Sequence, residues 1–379
     1  MPKPIYLDYN ATTPHDPEVI AAMRPFLEVE FGNPSSSHLY GNAPQKAVAE
    51  SRRQVAGLLN CRPEEITFTS GGTESNNHAI KGVADAYGDK GNHIITSRIE
   101  HPAILEVCEY LEKNGMDVTY LPVDNQGLVS GSAVEGAITT RTILITIMHA
   151  NNEVGTIQPI GEISRIATAH GVLLHTDAAQ SVGKIPTAVD ALGVDLLSMA
   201  GHKVYAPKGV GALFIRGGVK PARLMHGAGQ ESGRRPGTEN VLEIVGLGKA
   251  CEIAERDMDR NMTHMQHMRD RLYKEIKKRR GHVRVNGHPQ KRLPNTLSIS
   301  FEGLEANRIL DHISSRVAAS AGAACHADTI EVSEVLRAMD VPLNWAKGTL
   351  RLTTGRRTTE FDIDTAAAVI CEAVNRLKN

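Results

Sequence analysis

The 379-residue chain has little of what marks a metalloprotein, a secreted protein or a membrane protein. Five cysteines are scattered at positions 61, 108, 251, 325 and 371, with no Cys-x-x-Cys pair among them. An odd, unpaired set excludes a disulfide framework and the usual zinc knuckles, and leaves at least one free thiol. Sixteen histidines are present, but none falls in a ligand spacing such as His-Glu-x-x-His, so no metal site is expected. Neither sign of charge dominates: 42 Lys and Arg stand against 43 Asp and Glu, a formal net charge of −1. That balance argues against nucleic-acid or membrane binding driven by charge. No apolar run approaches the ~20 residues of a membrane span. No basic segment followed by an apolar stretch opens the chain, so a cytoplasmic protein is expected.

What is present is enough apolar material for a real core, 41% of residues. The length suggests two structural domains at roughly 100–200 residues each. From about residue 64 to 217, short apolar runs alternate with amphipathic stretches. The runs are Ile66–Thr69, His93–Thr96, Thr142–Ile147, Val172–His175, Asp195–Ser198 and Gly211–Ile215. A helical pattern such as Ile160–His170 lies between them. This rhythm predicts an α/β sheet, mostly parallel and covered on both faces. From about Glu239 to Arg280 no proline occurs and helix formers dominate, which predicts one long helix or two. The remainder reads as a shorter α/β segment. Asn295–Phe301 and Thr349–Thr353 are strand-like there, and Ala306–Ser315 and Phe361–Leu377 are helix-like.

Two residues placed at strand ends give the first chemical signal. Asp177 closes Val172–Asp177, and Lys203 follows the next apolar run by a few residues. In open α/β sheets ligands sit outside the carboxyl ends of the strands. A carboxylate and an amine there are the pair that pyridoxal phosphate needs. The amine forms a Schiff base, and the carboxylate keeps the pyridine nitrogen protonated. Taken alone, each also fits an ordinary solvated charge.

Ile66–Thr69 runs directly into Ser70-Gly71-Gly72-Thr73-Glu74. A strand, a glycine turn and a helix start make a cradle for an anion: glycine lets backbone N–H groups approach, and the helix N-terminus adds partial positive charge. The bland alternative is a tight turn with a capped helix. His101 follows another strand end, where an imidazole can stack on a planar ring or shuttle protons; it also fits a helix start before Pro102. Asn151-Asn152-Glu153 offers amides to a ligand oxygen, or is simply an Asn-rich turn. Cys325 and His326 sit in Ala318–Ala327, a run of small residues, which is the setting of an accessible, reactive thiol. A small buried hydrophobe is the other reading of any free cysteine.

Several segments together resemble a known family. They are Tyr6–Thr13, Gly32–Ser36, Ser70–Asn77, Asn151–Gly155, Thr176–Gln180, Gly201–Pro207, Gly229–Glu231 and Arg235–Asn240. The chain resembles, nearly end to end, the group I cysteine desulfurases and selenocysteine lyases of the class V aminotransferase fold. That resemblance implies a fold-type I pyridoxal-phosphate enzyme: a large domain over 15–255 with a mostly parallel sheet, and a smaller α/β domain from 1–14 and 256–379. It implies conversion of L-cysteine to L-alanine, with the sulfur held as a persulfide on Cys325 before passing to an acceptor protein. Selenocysteine lyase is the alternative activity. By position, Lys203 matches the Schiff-base lysine, Asp177 the pyridinium partner and His101 the ring-stacking, proton-moving histidine. Gln180 and Asn152 match contacts to the phenolic oxygen, Asn152 also to substrate. Gly72, Thr73 and His202 match the phosphate cradle, and Thr238 the phosphate ligand given by the partner of a homodimer with shared active sites. Arg356, in Thr354-Gly355-Arg356, is assigned the clamp on the substrate carboxylate, a task that suits a bidentate guanidinium.

The chain departs from the family pattern at two places. Ala200 stands where the family commonly has a serine ligand to the phosphate. Scaffold-serving desulfurases of the family dock their partner by a tail past the last helix, and since this sequence ends at Asn379, docking by that route is not expected. Gly322–His326 is closer to selenocysteine lyases and to desulfurases outside the scaffold pathway, while the spacing from Cys325 to Ser333–Leu336 keeps the group I loop length.

Overall fold

The computed structural model describes residues 3–322, 325, 326, 329, 330 and 332–378, with only the backbone at 325, 326, 329 and 330. A short strand, β1 (Ile5–Tyr6), comes first. Seven strands then build the main sheet: β2 (Ile66–Thr69), β3 (His93–Ser97), β4 (Asp117–Leu121), β5 (Thr142–Thr146), β6 (Leu173–Asp177), β7 (Leu196–Ala200) and β8 (Gly211–Ile215). Their spatial order is β2-β8-β7-β6-β5-β3-β4. The run from β7 to β4 is parallel, while β8 pairs antiparallel with both β7 and β2. Every residue of β5 and β7 is buried, as a parallel sheet covered by helices on both faces requires.

The expected strands are present. Of the main sheet, the one missed is the edge strand β4: Asp117 is exposed and only Leu121 is fully buried, so its sequence lacks an apolar run. The proline-free stretch folds as two helices, Val241–Arg256 and Met258–Arg280, parted at Asp257, whose ψ of 13° leaves the helical range.

A second sheet follows, of β9 (Arg284–Asn286), β10 (Thr296–Ser300), β12 (Ser320–Ala321) and β15 (Thr349–Thr353), all antiparallel in the order β12-β15-β10-β9. Between these strands in the chain, β11 (Val317–Ala318) pairs parallel with β1, and β13 (Cys325–His326) pairs antiparallel with β14 (Thr329–Ile330). The helices Met258–Arg280 and Glu360–Lys378 pack together beside this sheet. Its apolar residues, among them Leu272, Ile276, Leu297, Ile299, Leu350 and Ile370, form a cluster of their own, which also takes in Leu7 from the start of the chain. The largest cluster lies under the main sheet.

The two sheets meet closely at one turn. Asn151 accepts from the backbone N–H groups of Glu153 and Val154 at 2.9 Å each, and the turn ends on Gly155 at φ +80°. A Cβ at Gly155 would lie 2.9 Å from the Cβ of Thr296 in β10. Both the backbone conformation and the approach therefore require glycine. Gly155→Ala is expected to cost about 1–3 kcal/mol, in the range of a strained backbone position. A lower urea midpoint with an unchanged slope is the expected reading.

Candidate active site

The carboxyl ends of β6 and β7 open into a cavity of about 330 Å³. Its floor is set by hydrogen bonding. Asp177, the last residue of β6, is buried. Its Oδ2 accepts from Asn76 Nδ2 at 2.8 Å, and its Oδ1 from the Ala179 N–H at 2.9 Å. Asn76 belongs to the helix Gly72–Ala86, which starts from Gly71 at φ +150° and turns its N-terminal residues Gly72 and Thr73 to the cavity. The chain can turn here from strand to helix because Gly71 carries no side chain. Four N–H groups at such a helix start lack internal partners and attract an anion.

Lys203 closes a single helical turn, Gly201–Lys203, directly after β7. Its Nζ donates to the carbonyls of Asn10 at 2.6 Å and Ala11 at 2.8 Å. Burial, followed by the nearby Arg351 guanidinium, pushes this amine down to about 8; Asp8 and Asp177 oppose the shift. Next to it, His202 Nδ1 lies 3.3 Å from Thr12 Oγ1, and burial with the charges of Lys203, Lys208 and Lys184 pushes the imidazole down to about 4. His202 is therefore neutral at physiological pH and presents one donor and one acceptor.

His101 caps the helix Pro102–Lys113, its Nδ1 accepting from the Ala103 N–H at 3.1 Å. That bond leaves the proton of the neutral ring on Nε2. The residue lines the open cavity, and desolvation, helped by the Lys203 charge and opposed by Asp177, lowers its pKa from the ordinary imidazole value. Its neighbour Glu100 is fully buried and pushed up to about 8. Glu100 accepts from Ser97 Oγ at 2.6 Å and from the Met148 N–H, so it fixes the loop whose Met148 also lines the cavity.

The structure thus gathers Gly72, Thr73, His101, Asn152, Asp177, Gln180, His202 and Lys203 around one space. It does not bring Arg356 there. The Arg356 side chain is largely buried outside that lining, its guanidinium 4.3 Å above the Tyr205 ring and 3.9 Å from Asp16. Its backbone N–H donates to Tyr205 Oη at 2.8 Å. Tyr205 needs such support, since a φ of +71° is strained for an aromatic residue. The arginine that does reach the cavity is Arg351 of β15. It donates to Asp8 Oδ1 at 2.9 Å, Ser320 Oγ at 3.2 Å and the Asn152 carbonyl at 3.4 Å. Strand periodicity carried this signal: Leu350 and Leu352 are buried in the core, which turns Arg351 to the other face.

Thr238 is exposed in the loop before the helix Val241–Arg256 and is not among the residues lining this cavity in a single chain. The Cys325 side chain lies outside the described residues. Sequence reasoning assigned no role to Asn10, Asn76, Lys184 or Arg351. Asn10 belongs to the segment Tyr6–Thr13, but nothing local in the sequence distinguishes it.

At pH 7 an amine titrating near 8 is about one-tenth neutral, and therefore roughly two hundred times more so than one with the ordinary lysine value of roughly 10.4. Competitive acetylation of the ligand-free protein should label Lys203 with a midpoint near pH 8. Surface lysines should keep gaining reactivity well above that pH, and peptide mass spectrometry distinguishes the two.

Comparison with known proteins places this geometry. Residues 5–365 match the aminotransferase class-V family. A cysteine desulfurase IscS of Dictyoglomus turgidum is 49% identical, covering 100% of this chain and 96% of the relative. The corresponding protein of Methanosarcina thermophila is 47% identical, over 100% and 93%. Among solved structures, a NifS-like protein superimposes with a TM-score of 0.93 at 37% identity, over 99% of this chain and 100% of its own. A structure described as SspA in complex with cysteine gives 0.82 at 37% identity, over 94% and 100%.

Proposed function

The chain belongs to the class-V aminotransferase family, and we infer that it is a cysteine desulfurase, taking sulfur from L-cysteine and leaving L-alanine. The observation that carries the reading is one cavity in which a desolvated amine, a buried carboxylate and a guanidinium converge from separate strands: Lys203, Asp177 and Arg351. The family depends on pyridoxal phosphate, and the residues present fit it. The space is ample for an aromatic ring with a phosphate. The amine is desolvated, the carboxylate is hydrogen-bonded and ionisable, and a helix N-terminus faces the same space.

Lys203 would hold the cofactor covalently and Asp177 would hold a proton on its ring nitrogen. His101 would lie against the ring, and Gln180 and Asn152 would meet the phenolic oxygen. Gly72, Thr73, His202 and Thr238 of a second copy would take the phosphate. Ala200, where the family commonly has serine, gives no hydroxyl, so the cradle relies on these four. When bound, pyridoxal phosphate supplies the electrophile for the substrate amine and the sink for electrons released at its α-carbon. Lys203 Nζ, neutral in part at physiological pH, is the base suited to move the α-proton, with His101 Nε2 as a second proton carrier. Arg351 replaces Arg356 as the group proposed to orient the substrate carboxylate. The thiolate of Cys325 would take the sulfur atom, as a persulfide, for delivery to an acceptor protein.

A homodimer fits the surface as well as the Thr238 assignment. Leu27 in the helix Pro17–Glu28, Val29 and Phe31 in the loop after it, and Leu39 and Tyr40 at the start of the helix Leu39–Leu59 are all exposed, with the Phe31 and Tyr40 rings 5.5 Å apart. Large apolar side chains exposed together mark an interaction surface. The same reading divides the chain into a cofactor-binding domain over 15–255 and a second domain from 1–14 and 256–379. No helix among the described residues is long and apolar enough to cross a membrane.

The two arginines separate the alternatives for substrate binding. Losing a charge-assisted pair with a carboxylate costs about 1.5–3 kcal/mol, or roughly ten- to a hundredfold. Arg351→Met should therefore lower kcat/KM for L-cysteine by that factor, mainly through KM. Arg356→Met should lower it at least tenfold less, and the opposite ranking would return the clamp to Arg356. Cys325→Ser should keep the yellow cofactor band and lose alanine formation from L-cysteine almost completely. Undiminished alanine release would remove Cys325 from the reaction.

A further inference from the structure

One buried amine has no part in the chemistry above. Lys184 lies in the turn after β6, only 4% exposed. Gly183, at φ +73°, bends the chain there; a Cβ would meet Val204 Cγ1 at 3.1 Å and Ala254 Cβ at 3.3 Å. The bend carries Lys184 back beneath Gln180, four residues earlier. Its Nζ donates to Gln180 Oε1 at 2.8 Å and to Asn10 Oδ1 at 3.1 Å. Both acceptors are themselves buried.

These two bonds fix which way the Gln180 amide points. Its oxygen is held by Lys184, and its nitrogen donates to the Asn10 carbonyl at 3.0 Å. Reversed, the amide would lose its bond from the Lys184 N–H and would set its oxygen against the Asn10 carbonyl, a repulsive contact. An amide nitrogen has two protons. One is used on Asn10, and Gln180 lines the cavity, so the second is left for a ligand there. The Asn10 side chain is set by the same network: its Oδ1 also accepts from Asn295 Nδ2 at 2.9 Å, while its Nδ2 donates to Asn152 O at 3.0 Å and Thr296 Oγ1 at 2.9 Å.

We propose that Lys184 is a positioning residue that locks Gln180 with its N–H group, rather than its carbonyl, turned to the phenolic oxygen of the cofactor. This rests on the reading of the cavity as a pyridoxal-phosphate site. The arrangement does not need a buried charge. Burial, then Lys203 and Arg351, hold the Lys184 pKa well below the ordinary lysine value. A neutral amine still has two protons for its two acceptors.

A donor on the phenolic oxygen favours its deprotonated form and lowers the pH at which the visible band of the loaded enzyme changes. The test is a spectrophotometric pH titration of the full-length, cofactor-loaded protein in four forms: wild type, Lys184→Met, Gln180→Ala and the double variant. Lys184→Leu replaces the Met variant where the latter does not fold. The expected result is an upward shift of the midpoint by about one unit in Gln180→Ala, a comparable shift in Lys184→Met, and no further shift in the double variant, the mark of two residues acting as one. A shift in Gln180→Ala with none in Lys184→Met overturns the role of Lys184 and leaves the Gln180 contact standing. Additive shifts overturn it too, because Lys184 would then act through its own charge. No shift in Gln180→Ala removes the contact itself, and the proposal with it.

Discussion

Asn10 is the joint on which the site depends. It is 1% exposed, and all of its polar atoms are used. Its backbone carbonyl accepts from Lys203 Nζ and Gln180 Nε2, and its N–H donates to Thr353 Oγ1 in β15. Its side chain joins Lys184 to Asn295, Thr296 and the Asn152 carbonyl. The main sheet, the second sheet and the turn between them are therefore tied through one amide. A buried polar group left without partners costs far more than a formed hydrogen bond returns. The network holds only if every member is present, and this makes the site rigid.

That rigidity allows cations to sit close together. Lys203, Lys184 and Arg351 face the same small region, with Asp8 and Asp177 as the opposing charges. Crowded, desolvated cations lower one another's proton affinity. The consequence for Lys203 is a usable nucleophile and base near neutrality. The consequence for His202 is a neutral ring suited to hydrogen bonding. Arg351 is oriented by Asp8 and Ser320, which hold its guanidinium at the cavity.

Arg356 lies close to the site without lining its cavity. Thr354-Gly355-Arg356 lies just past β15, near enough to matter. Its guanidinium packs on the Tyr205 ring, and its backbone N–H donates to Tyr205 Oη, beside a residue held at positive φ. The five-residue step back to Arg351 crosses from loop into strand, and only the alternation of buried Leu350 and Leu352 indicates which way its side chain projects.

The sequence by itself determined the parallel sheet, from fully apolar runs that only a doubly covered sheet accommodates. It also determined the glycine turn before the helix Gly72–Ala86, and the placement of Asp177 and Lys203 at strand ends. These are local facts: periodicity, glycine and chain position specify them without reference to distant residues. The edge strand β4 was not legible, because an exposed strand needs no apolar run. Tertiary structure alone decided that Lys203 meets Asn10, 193 positions away, and that Arg351 shares its space. It also decided that a second lysine would lie buried beneath Gln180. Desolvation and mutual charge depend on what packs around a group, and in this chain those neighbours come from both ends of the sequence.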